Sequence, residues 1–123
     1  MLKESYIANW RKLPKDVIKI RVARPHILSP SQKLLSDYKN CEKRYLKIGS
    51  TKKFARERAW NLTNYKVRYE TEIMSNPKSV KELYRIYDLA KEKDVYLMCY
   101  EKDFPCHRFI LLDIINNLQK MKK

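Results

Sequence analysis

Glycine is all but missing from this sequence. Gly49 is the single one among 123 residues, against a usual share of about 7%. Neither a G-x-G-x-x-G dinucleotide loop nor a Walker-type phosphate loop can be built without more. A phosphate site would have to use a bare helix N-terminus plus arginines. Long apolar runs are missing too, none reaching the ~18 residues that span a bilayer. The opening Met1-Leu2-Lys3-Glu4-Ser5 has no signal-peptide core. The expectation is a cytoplasmic protein with no membrane partner. Three cysteines, Cys41, Cys99 and Cys106, are an odd count and not a secreted disulfide framework. Reduced thiols are the default, with a Cys99–Cys106 bridge open for a hyperthermophilic source.

Acidic residues are also short, 14 against 28 Lys and Arg, for a net charge of +14. The imbalance is local: residues 1–60 carry a net +11 and residues 61–123 a net +3. Such a field attracts nucleic acid, nucleotides or anionic surfaces, and it also simply keeps a protein soluble. Many Lys, Tyr and Ile with few Gly fit a thermophilic source. An apolar share of 44% argues against disorder, and the length fits one domain over residues 1–123, with a frayed tail from Lys120 to Lys123.

The densest chemistry lies between Val95 and Leu118. Val95 to Tyr100 is a short apolar run with the make-up of a buried strand. After a polar connection, Phe109, Leu112, Ile115 and Leu118 recur at helical spacing. A strand feeding a helix places free backbone N–H groups and the positive helix end at the strand's carboxyl edge. Glu101, Cys106, His107 and Arg108 gather there.

Upstream, Glu4 to Trp10 reads as an extended segment closed by Arg11-Lys12-Leu13-Pro14, and Val17 to Ala23 as a β-branched strand stopped by Pro25. Arg21 and Arg24 near its end are candidates to reach the same edge as Cys106, or else are solvated surface arginines. Ser29-Pro30-Ser31 opens a short helix predicted over 32–39. Lys52, Lys53, Arg56 and Arg58 interleave with Phe54 and Trp60. That mixture suits nucleic-acid contact, where bases stack and phosphates pair; it also suits an amphipathic helix with Phe54 and Trp60 packed inward. Thr63 or Asn64 is expected to cap a helix ending before Pro77, and Ser79-Val80-Lys81-Glu82 to open the next as a capping box.

Cys99-Tyr100-Glu101, a spacer with Phe104, then Cys106-His107-Arg108 opening an apolar helix resembles the signature of the domain of unknown function 488 (DUF488) family. Ser5 to Pro14, Ile20 to Arg24, Leu28 to Ser31 and Tyr65 to Met74 resemble, in order, the rest of that family's shorter, largely archaeal branch. The resemblance implies an α/β fold with a site at this strand–helix junction, and no settled reaction. With the residues themselves it points to a small three-layer domain, a mostly parallel sheet with helices on both faces, Rossmann-like without a Gly-rich loop.

Several chemistries stay open at the junction. Cys106 would be a nucleophile or redox thiol, its thiolate favoured by the helix dipole and the neighbouring cation. Arg108 would clamp an oxyanion, with Glu101 as proton acceptor or orienting the histidine; the Cys-x5-Arg spacing of phosphatase loops is not met. Alternatively Glu101, His107 and Arg108 form an anion or phosphoester site, completed by Tyr6, Asn9 and Arg24, with sulfur incidental. A metal site would take Cys99, Cys106 and His107 with Cys41 or His26, but neighbouring Cys106 and His107 are not expected to face one ion from a helix turn, so no metal is assigned. In the plainest reading the two cysteines are small core residues and His107 a satisfied polar cap. The phosphate reading is the one these residues support best: a small enzyme on a nucleotide or nucleic-acid substrate, or else a non-catalytic basic nucleic-acid-binding module.

Overall fold

The sheet is organised around its last strand. In the computed structural model, which describes residues 1–100 and 106–118, β1 (Leu2–Tyr6), β2 (Ile18–Arg21) and β3 (Val95–Cys99) form a parallel sheet in the order β1-β3-β2. Glu101 and the Lys120–Lys123 tail lie outside the described residues. Leu2 and Ile18 both pair with Val95, so all three strands start at one level and end together beside Cys99. Central position explains the composition of β3: buried on both faces, it reads Val-Tyr-Leu-Met-Cys with no alternation.

The two faces differ. Leu2, Ile20, Val22, Val95 and Leu97 look toward the main core, where they meet Tyr69 and Ile73, Leu83 and Ile86, and Ile110, Leu111, Ile115 and Leu118. Those come from α3 (Tyr65–Met74), α4 (Pro77–Glu92) and α5 (His107–Asn116). The opposite face carries a 3-10 helix, Ile7–Lys12: Asn9 donates to Ser5 Oγ at 3.0 Å, and Lys19 lies over the Trp10 ring. The expected extension of the first strand through Trp10 therefore stops at Tyr6. An α/β domain with a parallel sheet is what the patterns predicted.

Two further helices, α1 (Gln32–Lys47) and α2 (Lys52–Leu62), pack on each other beyond the sheet's carboxyl edge, where their side chains reach Cys99 and Cys106 across a cavity. Ser31 caps α1 as predicted, accepting from Leu34 N at 3.2 Å, but α1 runs twice the predicted length. Nothing in Asn40 to Lys47 breaks a helix; the stop comes at Gly49, whose φ of +94° supplies the left-handed turn. Thr51 caps α2. Two caps differ from expectation. Thr63 donates to Ala59 O, and Asn64 does hold the N-cap position of α3, but with a left-handed φ of 53° and no side-chain cap bond. In α4, Asn76 accepts from Lys78 N and Pro77 occupies the first turn, so the helix starts ahead of Ser79, which is buried inside it.

Candidate functional site

β3 delivers Cys99 to the carboxyl edge of the sheet, and Cys106 returns as the N-cap of α5 with extended backbone, φ −154° and ψ 147°. Their sulfurs stand 3.0 Å apart. His107 joins them: its Nδ1 is 3.7 Å from Cys106 Sγ and 3.9 Å from Cys99 Sγ. The other ring nitrogen fixes its chemistry. Nε2 lies 2.8 Å from Val22 O, and a carbonyl only accepts, so Nε2 carries the proton and Nδ1 turns its lone pair to the sulfurs. Tyr69, edge-on at 5.6 Å, braces the ring and is itself held by donating to Leu28 O. All three donor residues are buried.

The Cys106 thiol is pushed well above its ordinary value, first by its hydrogen bond with Cys99, then by burial and by the second sulfur's charge. The backbone N–H and the cation of Arg108 pull the other way and lose. The expected thiolate at a helix N-terminus is thus overturned by the twin thiol and by the dry surroundings. With protein groups alone around it, Cys106 rests as a neutral thiol.

Arg108 is 0% exposed and turns away from the sulfurs to β1, where Nε donates to Glu4 Oε2 and the guanidinium stacks on Phe109. It ties α5 to the sheet. Tyr6 sits half-buried at the end of β1 opposite Cys99, and Asn9 is engaged with Ser5 on the far face. Arg21 also faces away, exposed and 4.9 Å from the Tyr100 ring, because residue alternation turns it from the side of Val22. Arg24 comes back to the cavity mouth, its Nη1 donating to Gln32 Oε1 at 2.6 Å. On α2, Lys52, Lys53 and Arg58 are exposed and Arg56 is half-buried, with Arg58 over Tyr45. Trp60 packs inward, but Phe54 is 49% exposed and leans edge-on against Tyr45, so only one of the two aromatics joins the core.

Cys99, Cys106 and His107 border a cavity of about 260 Å³. Tyr38, Trp60 and Tyr65 form one wall, Trp60 and Tyr65 stacked at 4.2 Å and Tyr38 edge-on to both. Arg24 and Lys39 stand among the lining residues as the cations. Sequence reading missed Tyr38, Lys39 and Tyr65 as site residues. A signal existed for part of this: Leu35, Tyr38 and Lys39 share one face of α1 at i, i+3 and i+4, a face already contained in the helix predicted over 32–39. His26, offered as a metal donor, instead accepts from Leu28 N through Nδ1 and faces Glu82 at 3.7 Å, and Cys41 lies at a separate surface hollow beside Arg44 and Tyr45. Cys99, Cys106 and His107 do converge, with all three donor atoms within 4.8 Å of one another, contrary to the expectation for neighbours on one helix turn. Cys106 is a cap with extended backbone, so its side chain is free of helical spacing and swings to the side of His107.

Among the described residues no helix is long and apolar enough to cross a membrane. No curated protein and no solved structure matches the chain. A family model does: over residues 4–119 the chain matches DUF488-N3a, described as the active DUF488-N3 subclade, and with nearly its whole length covered it belongs to the DUF488 family.

Proposed function

We propose that this chain is a small enzyme acting on a phosphate-containing substrate, a nucleotide or a piece of nucleic acid, in the cavity between α1, α2 and the start of α5. The supporting observation is the lining of that cavity: thiols and an imidazole on one side, a stacked aromatic wall on another, and Arg24 and Lys39 beside them. Each part matches one part of a nucleotide. Aromatic faces take a base, worth ~1–3 kcal/mol by stacking, while guanidinium and ammonium take a phosphate. His107 and Cys106 then face the ligand between those ends. Arg108, bound to Glu4, holds α5 in place rather than clamping the substrate.

Calorimetry with inorganic phosphate and mononucleotides, and anisotropy with short DNA and RNA at two salt concentrations, test this. Mononucleotides are expected to bind, with about tenfold or greater loss in Arg24→Ala and in Trp60→Leu and little change in Lys53→Ala. Binding of polymers alone, steeply salt-dependent and weakened by Lys53→Ala but not by Arg24→Ala, sinks the proposal. That result favours the second reading, a non-catalytic basic nucleic-acid-binding module. Its own support is the exposed Phe54 set among Lys52, Lys53 and Arg58 on α2.

A further inference from the structure

We infer that Cys99, Cys106 and His107 form a binding site for a single thiophilic divalent ion of the zinc class, with its fourth coordination position open to the aromatic cavity. The inference shares the cavity with the proposed function but does not depend on any substrate binding there.

The geometry is metrical. Three donor atoms separated by 3.0, 3.7 and 3.9 Å lie on a circle of radius about 2.1 Å. An ion off their plane meets the nitrogen at ~2.0–2.1 Å and the sulfurs at ~2.3 Å, the bond lengths zinc takes with imidazole and thiolate. The two sulfurs part from 3.0 Å toward the ~3.8 Å of a tetrahedral pair as the ion binds. The imidazole is prepared for this role. Its Nε2–H is spent on Val22 O, the outer hydrogen bond that characteristically fixes a ligating histidine, and Nδ1 is left bare toward the sulfurs. Tyr69 holds the ring's orientation.

The donor set chooses the ion. Two thiolates and an imidazole suit zinc, and reject magnesium and calcium, which require oxygen. Binding displaces one proton from each thiol and leaves a neutral unit of two thiolates and one dication. A neutral unit is far easier to bury than a lone thiolate, and these sulfurs are buried. The start of α5 adds its dipole to the stabilisation of Cys106 sulfur. Three protein ligands with a fourth position facing a cavity is the arrangement of catalytic zinc sites; closed structural sites carry four protein ligands.

The test uses the whole chain, reduced with a phosphine and freed of metal by a chelator, and titrated with cobalt(II) as the optical probe and then zinc(II). One equivalent of cobalt is expected to give intense ligand-field bands of four-coordinate geometry with thiolate charge transfer, and one equivalent of zinc to bleach them. Cys106→Ser and His107→Gln are expected to weaken binding roughly 100-fold or more, while Cys41→Ser leaves it unchanged. Circular dichroism checks the folding of each variant, and Cys41→Ser keeps the assay informative if one of the others unfolds. Octahedral cobalt spectra, binding lost in Cys41→Ser, or reduced folded protein that takes up no ion and only forms a Cys99–Cys106 disulfide under peroxide each overturn the inference. Loss of nucleotide binding with the metal titration intact would remove the proposed substrate and leave the metal site standing.

Discussion

The starts of α2 and α5 look alike as sequence and are opposites as structure. Each follows a capping position and mixes basic residues with aromatics. On α2 the charges face outward: Lys52, Lys53 and Arg58 are exposed, and Phe54 lies half in solvent. On α5 they turn inward, His107 to Val22 O and Arg108 to Glu4. Placement, not residue type, decides which arginine is structural and which is available to a ligand. The most buried arginine at the junction is the one least able to hold an anion, and the exposed Arg24, about two-thirds of the chain away in sequence, stands at the cavity.

The sharpest way to break this contrast is to truncate both arginines. Arg108→Ala strands the Glu4 carboxylate in a partly buried place and is expected to cost about 3–5 kcal/mol in urea unfolding, whereas Arg58→Ala should stay within ~0.5 kcal/mol. Equal costs would erase the distinction between inward and outward charge. The aromatics give a second, smaller pair. Trp60→Leu is expected to lose about 2 kcal/mol of stacking and packing in the same experiment, and Phe54→Leu under ~1 kcal/mol.

The smallest effect is a pH dependence carried by His26. His26 is held below its usual 6.5 chiefly by burial, with Arg85 and His107 adding to this and Glu82 opposing it. The unfolded chain therefore takes up the proton first as pH falls. Stability from His26 is full above about pH 6.5 and is lost as pH drops through the lower folded value. Unfolding midpoints should fall between pH 7.5 and 5.5, and by less in His26→Gln; an unchanged slope in that variant would reassign the effect.

Much of this was legible in the residues because it rests on local rules. The β-branched and apolar runs of β2 and β3, the serine cap of α1 and the strand-to-helix junction at Cys106 follow from patterns a few residues long. What was not legible depends on pairing across distance. Glu4 and Arg108 meet only because β1 lies next to β3, and the aromatic wall forms only because α1 and α2 fold over the sheet's edge. The same holds for sulfur. Spacing alone disfavoured a shared face for Cys106 and His107, and the extended backbone at the cap reversed that.

The strand order carries a consequence for how the chain is made. β1 and β2 do not pair with each other; each pairs with β3, which follows both in sequence. During synthesis neither early strand has a ladder to join until Cys99 has emerged, while α1 to α4 form by local contacts before it. A nascent chain thus holds helices around two waiting edges, and the sheet, the junction and the cavity arrive together once β3 and the start of α5 have been made. Any pause before β3 leaves two unpaired strands open to other chains.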